Sequence, residues 1–447
     1  MYSDQQISWF GKIFYERFGT RFKIQNYNEN YVSISLQNYS GNIFVKSNKS
    51  SFFNQDEVKF CNQKLNKEEF NAKLNEDLSA PGLDRTLDVL IEKIDEDYYL
   101  YYDVFGLILW MLSRYEEMGT ANNLDSHQRF SSSLSHAFKH NYLERPIVDE
   151  WLDVMKQLIK KTWKSLDIKN NSFSIDLSHD VDFPSNYAFK TKFNLFKSMV
   201  GDLIKRRNIK NFLLGPLIFI FSRSSISKID PANTFDWIMD QSERLGTKST
   251  FNFVAGKTDL DHDPEYSIDD LRIKKLLLNI GQRGHKIGIH PSYKTFNNIY
   301  LIKKELQKII QICNKLGINF SYESRMHFLR WDSYKTPYLL SKAGVKIDSS
   351  MGYADRVGFR AGTCFEYPAY DILNDRPLGI RFKPLIAMEV SLISNKYMGL
   401  DRKNTLKKCL ELKRICKLFG GKFSLLWHNN NLDTQDKKEL YLTIINS

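Results

Sequence analysis

In IDLSHDVD (175–182), Ile175, Leu177 and Val181 read as a short buried run, yet two carboxylates, Asp180 and Asp182, stand two residues apart at its end. Side chains alternate along an extended chain, so Asp180 and Asp182 face the same way. Two other apolar runs end on a histidine: His290 follows HKIGI and His428 follows FSLLW. An aspartate and a histidine converging at strand ends suit a divalent metal with positions left open for water. The second carboxylate is then available to take a proton. The remaining histidines, at 127, 136, 140, 179, 262, 285 and 327, read by default as structural, because a lone histidine is more often hydrogen-bonded than metal-bound. His285 lies five residues before His290 on one strand and so faces the opposite way. His179, beside Asp180, points away from the carboxylate face and is expected to pack or support.

Such residues need elements that bring them to one rim. From 172 onward strand-like stretches alternate with amphipathic helices: FSIDLSHD, FDWIMDQSERLG, STFNFVAG, IDDLRIKKLLLNIGQRG, HKIGIHPS and IYLIKKELQKIIQICNKLG, then KTPYLLSKAGVKIDSS and LKKCLELKRICKLFGGKFSLLWHNN. Repeated βα units predict an α/β fold with a parallel sheet, whose sites collect beyond the C-terminal strand ends. Asp180, Asp182, His290 and His428 all fall at such ends. Before this region, short alternating stretches (YVSISL, NIFVK) mix with helical patterns over 102–118 and 145–166. The polar, turn-forming DIKNNS predicts a boundary near 168, between a mixed α/β N-terminal domain, 1–168, and a C-terminal domain, 169–447.

A chain of 447 residues, 42% hydrophobic and 26% charged, suits a globular protein of more than one core. No signal-peptide pattern opens it, and FLLGPLIFIF (212–221) is too short and too interrupted by Gly215 and Pro216 to span a bilayer. Five cysteines without a CxxC pair fit reduced thiols and a cytoplasmic location. The formal charge is +12 and the pI about 9.1. With no Arg-rich run and no RNA-binding aromatics, a nucleic-acid partner is not expected. The stretch 187–228 is both basic and apolar. It reads either as an extra helix pair over the sheet or as a peripheral contact with the inner face of a membrane.

In chain order, SHDVD, GHKIGIHPS, SRMHFLRW, KIDSS and LLWHNN resemble the five motifs of the polysaccharide deacetylase (NodB-homology) superfamily. They are most similar to a bacterial branch with a DxD first motif and a GxHPS second motif. The resemblance covers about 172–447, and the region from YDVFGLILWMLSRYEE through HQRFSSSLS to RPIVDEW resembles the N-terminal domain that accompanies this branch. It implies a deformed (β/α) barrel for 169–447 and metal-dependent removal of N-acetyl groups from an amino sugar of a glycan or glycolipid precursor. By the same resemblance Asp180 is the general base, Asp182 and His290 are metal ligands, and Arg325 orients the base. Asp348 would hold the imidazole of His428, which protonates the leaving amine. The implied cofactor is a divalent metal, zinc first, with cobalt, manganese or nickel as alternatives. The implied partner is a carbohydrate, with anionic and lipid-linked forms left open.

The chain departs from that pattern at one position. The second motif usually carries another histidine where HPSYK has Lys294, and an ammonium cannot ligate a metal. His327, in SRMHF, is a candidate replacement as third ligand; the alternatives are two protein ligands, weak metal binding or lost catalysis. Glu389 reads as a surface glutamate or a further rim carboxylate. Arg356 and Arg360, in GYADRVGFRAGTCFEY, either contact an anionic substrate or order their own loop. Cys364 lacks an evident base. The rival functions are a glycan-binding scaffold of the same fold and a hydrolase of another non-peptide C–N bond.

Overall fold

A computed structural model of the chain describes residues 1–53, 57–119, 123–204 and 209–447. Helix α1 (Asp4–Phe18) starts from a capping box between Ser3 and Gln6 and stops at Gly19 in the left-handed region. The alternating stretches after it form a five-stranded sheet ordered Lys23–Asn26, Tyr31–Ser35, Ile43–Lys46, Asp97–Leu100, Ile91–Ile94. Helix α2 (Val104–Ser113) is buried on every side, as its unbroken VFGLILWML demands. It ends earlier than its sequence pattern because Arg114 turns to φ 56° and pairs with Glu116 and Glu117. Helix α3 (Ile147–Thr162) carries Asp149 and Glu150 in its first turn and Lys160 and Lys161 in its last, matching the helix dipole.

The second half builds a nine-stranded sheet. Its strands are β1 (Ser174–Val181), β2 (Thr250–Phe253), β3 (Lys286–Ile289), β4 (Glu323–Ser324), β5 (Ile347–Asp348), β6 (Tyr367–Asp371), β7 (Arg376–Phe382), β8 (Ala387–Met388) and β9 (Lys422–Leu426). Their order is β6-β7-β5-β4-β3-β2-β1-β9-β8. Every pairing is parallel except β6 with β7. Among the described residues no pairing closes the sheet, so the expected barrel holds only as a large, mostly parallel sheet. The β6 edge is covered instead: Trp9 of α1 donates its indole N–H to Pro368 O, and Arg381 of β7 pairs with Glu16.

One buried apolar cluster runs from Tyr2 through α2 and α3 to Ile445. The loop 352–364 is held by the N-terminal half: Val148 N donates to Gly362 O, and Arg360 makes a bidentate pair with Glu117. Arg360 is therefore a buried loop-ordering residue and not a substrate contact, and Arg356 stacks over Phe138. All five cysteines are free thiols. Cys364 Sγ donates to Asp149 Oδ2, and burial pushes this thiol up, away from nucleophilic use.

Between β1 and the helix Phe235–Arg244 the chain inserts two helices, α4 (Lys192–Ile204) and α5 (Ile209–Phe221), packed on each other. Part of the basic stretch, 205–208, lies outside the described residues. No described helix is long and apolar enough to cross a membrane.

Candidate metal and acid–base centre

The sheet register sets the site. Asp180 lies opposite Asn252, Ile289 lies opposite both Phe253 and Ser324, and Leu426 lies opposite Ser178. Asp182, His290, Arg325, Glu389 and His428 therefore all emerge just past the C-terminal ends of parallel strands, where backbone pairing stops and side chains are free to converge. Asp182, His290 and His428, together with Asp180 and His327, line a cleft of about 220 Å³, and Arg325 and Glu389 back it through Asp180 and His428.

Asp182, His290 and His327 offer ligand atoms that all lie within 4.8 Å of one another. The Nε2 atoms of His290 and His327 each stand 3.5 Å from Asp182 Oδ1. That oxygen is buried and has no hydrogen-bond partner among the described residues. A buried, unpaired carboxylate oxygen is costly unless something positive satisfies it. Both imidazoles are fixed from behind. His290 Nδ1 donates to Arg325 O, and His327 Nδ1 to Asp263 Oδ1 at 3.1 Å, which turns both Nε2 lone pairs toward Asp182. Asp263 is itself held by the backbone N–H groups of Tyr293, Thr258 and Asp259. Burial lowers the pKa of His290 against the pull of Asp180 and Asp182. Burial also opposes a charge on His327, but Asp182 and Asp263 outweigh it and raise that pKa. Two nitrogens and a carboxylate oxygen around a space that favours positive charge fit a divalent metal ion.

Flanking this triad are two proton-handling pairs. Asp180 Oδ1 accepts from Arg325 at 3.1 Å and from Asn252 Nδ2 at 2.8 Å. Burial penalises its charge, but Arg325, His290 and His428 prevail and hold the carboxyl well below the usual range. His428 Nδ1 lies 2.6 Å from Glu389 Oε1, and its Nε2 lies 3.7 Å from Asp182 Oδ2. Burial works against protonation of this imidazole, yet Glu389 and the two aspartates push it up to about 10.

The sequence-derived residues thus meet, with one correction. Asp180, Asp182, His290, His327, Arg325 and His428 share the cleft region, whereas Asp348 does not hold His428. Its carboxylate accepts from Ser324 Oγ and from Ser350, and burial raises it to about 6. Glu389 takes the position next to His428. It is buried, not a surface residue, and also accepts from His428 N and Asn431 Nδ2. The position of Glu389 at the end of the apolar PLIAME was the available signal, but a two-residue strand gives too little pattern to read. Lys294 does not enter the site. Its side chain is 58% exposed and its Nζ pairs with Asp259 Oδ2 at 3.0 Å. His285 and His179 are structural: Ser249 N donates to His285 Nδ1, and His179 Nδ1 donates to Trp427 O.

Comparison with known proteins adds the following. The profile of a family of unknown function, DUF7033, matches residues 3–164. No curated protein matches the chain. Solved structures similar to it include a presumed polysaccharide deacetylase from Mycobacterium smegmatis, 14% identical with a TM-score of 0.39, covering 62% of this chain and 84% of that one. PuuE allantoinase is similar at 11% identity and a TM-score of 0.39, covering 62% of this chain and 83% of that one.

The DUF7033-matching part also reaches the cleft. Arg129 lines it, held by Asp125 and Tyr397, and donates to Phe328 O at 2.9 Å. Arg330 donates to Tyr293 O and to His127 O. These contacts pin the short turn His327–Leu329, in which Phe328 and Leu329 adopt φ of 60° and 53°. Such conformations cost about 1–3 kcal/mol each and persist only where neighbours over-determine them. Sequence periodicity carries no signal for a turn of this kind.

Proposed function

We propose that the chain is a metal-dependent hydrolase that removes N-acetyl groups from an amino sugar of a glycan or glycolipid precursor. The observation that carries this reading is the unpaired Asp182 oxygen facing two oriented imidazole nitrogens, between a carboxylate kept ionised and an imidazole kept protonated. Asp182, His290 and His327 would hold the ion, which when bound would supply Lewis-acid polarisation of the amide carbonyl.

The chain's own groups do the proton work. Asp180, anchored by Arg325 and Asn252, accepts a proton from the attacking water. The water oxygen adds to the amide carbon and the C–N bond breaks. His428, backed by Glu389, passes its Nε2 proton to the departing nitrogen, leaving acetate and a free amine. Arg129, Tyr397, Asn430 and Asn431 line the cleft with hydrogen-bonding groups suited to sugar hydroxyls. The scaffold alternative rested on Lys294, and its ion pair with Asp259 removes that motive.

The test is acetate release from N-acetyl amino sugars with added zinc, cobalt, manganese or nickel, alongside metal content of the purified protein. Asp182→Asn and His327→Ala are expected to lower bound metal from about one ion per chain to near none and to abolish release. Lys294→Ala is expected to match the wild type in both. Acetate release that survives in Asp182→Asn and His327→Ala would overturn the reading.

A further inference from the structure

The inserted hairpin has a surface that the rest of the molecule does not explain. On α4, Phe193, Phe196 and Ile204 are 76%, 67% and 69% exposed. On α5, Ile209, Leu213 and Phe221 are 62%, 62% and 64% exposed. Their spacing along each helix gathers them into a stripe. The opposite faces are used: a Cβ on Gly215 would come within 2.9 Å of Met199, and Ile218 is fully buried. Among the described residues the outward stripe is therefore unpartnered by design of the packing and not through loose packing. Folded chains rarely leave so much contiguous apolar surface in water.

Charge decides what covers it. Lys192 and Lys197 on α4, and Arg223 and Lys228 after α5, are all exposed, and across 187–228 the sequence has a single acidic residue, Asp202. A second copy of the hairpin would bring like charges together, whereas an anionic lipid surface neutralises them. Helices of 13 residues are too short to span a bilayer but are long enough to lie along its headgroups.

The hairpin is also rooted at the rim of the cleft. It leaves the chain just after Asp182 and returns before the helix Phe235–Arg244. Ser185 and Asp230 hydrogen-bond across its base, and Arg272 donates to both Ala188 O and Ser222 O. Asn429, next to His428, donates to Phe183 O and Ala232 O at 2.9 and 2.8 Å. Phe183 itself lines the cleft.

We propose that the α4–α5 hairpin is a peripheral membrane foot that seats its exposed apolar stripe among the headgroups of an anionic phospholipid bilayer, with its lysines and arginine on the lipid phosphates. Through its clasped base it fixes the cleft at that surface. The proposal does not depend on the hydrolytic reading, because its test needs no turnover.

The test is co-sedimentation of the full-length protein with phosphatidylcholine vesicles containing about 30% phosphatidylglycerol, against phosphatidylcholine alone. Binding is expected to the anionic vesicles, falling as salt is raised. Phe196→Asp with Leu213→Asp is expected to lose at least about tenfold in partitioning, because each exposed apolar group would otherwise enter the interface. Lys192→Gln with Lys197→Gln is expected to lose about twentyfold at low salt. These positions are exposed, so unchanged circular dichroism and melting midpoints will show that the variants fold. Wild-type protein remaining in the supernatant at low salt would overturn the proposal, as would aspartate variants that bind like wild type. A vesicle-free dimer dispersed by Leu213→Asp would also overturn it, in favour of a self-association surface.

Discussion

Glu389 shows how much one buried carboxylate changes the chemistry of its neighbour. It contacts His428 through both the ring Nδ1 and the backbone N–H, so it fixes the orientation of the imidazole as well as its charge. Burial alone would strip the proton from His428; Glu389 reverses that. Glu389→Gln keeps the shape and removes the charge. It is expected to lower kcat for acetate release about 100-fold while leaving bound metal unchanged. Parallel metal analysis and steady-state kinetics check it, and a kcat within about twofold of wild type would remove Glu389 from the proton pathway.

At the scale of elements, the join between α2 and the loop 352–364 rests on a buried charge cluster. Glu117 accepts from both Arg114 and Arg360, and Ser333 donates to it. Burial would raise this carboxyl, but Arg360 and Arg114 outweigh burial and bring it from 4.5 to about 2. A carboxyl whose folded pKa is depressed stabilises the fold above its unfolded value and loses that contribution as pH falls through its folded value. The contribution is therefore complete above pH 4.5 and lost progressively toward pH 2. Its size is on the order of 3 kcal/mol. Glu117→Gln takes the paired carboxylate from the buried Arg360 guanidinium and leaves Arg114 with Glu116 alone, and is expected to cost about 3–5 kcal/mol at neutral pH. It should also flatten the acid limb of a urea-midpoint-against-pH curve. A variant with the wild-type acid limb would show that other carboxylates govern acid unfolding.

For the whole molecule, the N-terminal half acts as part of the wall of the cleft. α1 covers the β6 edge, α3 binds Gly362, and Arg129 reaches the turn that carries His327. The apolar core is continuous across both sheets. A fragment of residues 169–447 is accordingly expected to lose native packing even though it retains the large sheet's own sequence. Near-ultraviolet circular dichroism and dye binding to exposed apolar surface measure this against the full chain. A fragment that unfolds cooperatively and binds metal as the full chain does would establish two independent folding units.

By itself the sequence determined the parallel βα pattern and the ends of its strands, because period-2 and period-3.6 apolar spacing are local properties. Asp180, Asp182, His290 and His428 were legible for that reason: each sits at the end of a readable strand, and register then brings them together. Arg325 was legible only through motif resemblance. Tertiary structure decided the rest. His327 joins the triad because Asp263, Arg129 and Arg330 hold a left-handed turn, and Lys294 leaves it because Asp259 captures the ammonium. Glu389 replaces Asp348 beside His428 because β8 pairs with β9, while Asp348 is consumed by serines between β4 and β5. Such choices depend on which side chain meets which across distant segments, and local periodicity carries no information about those meetings.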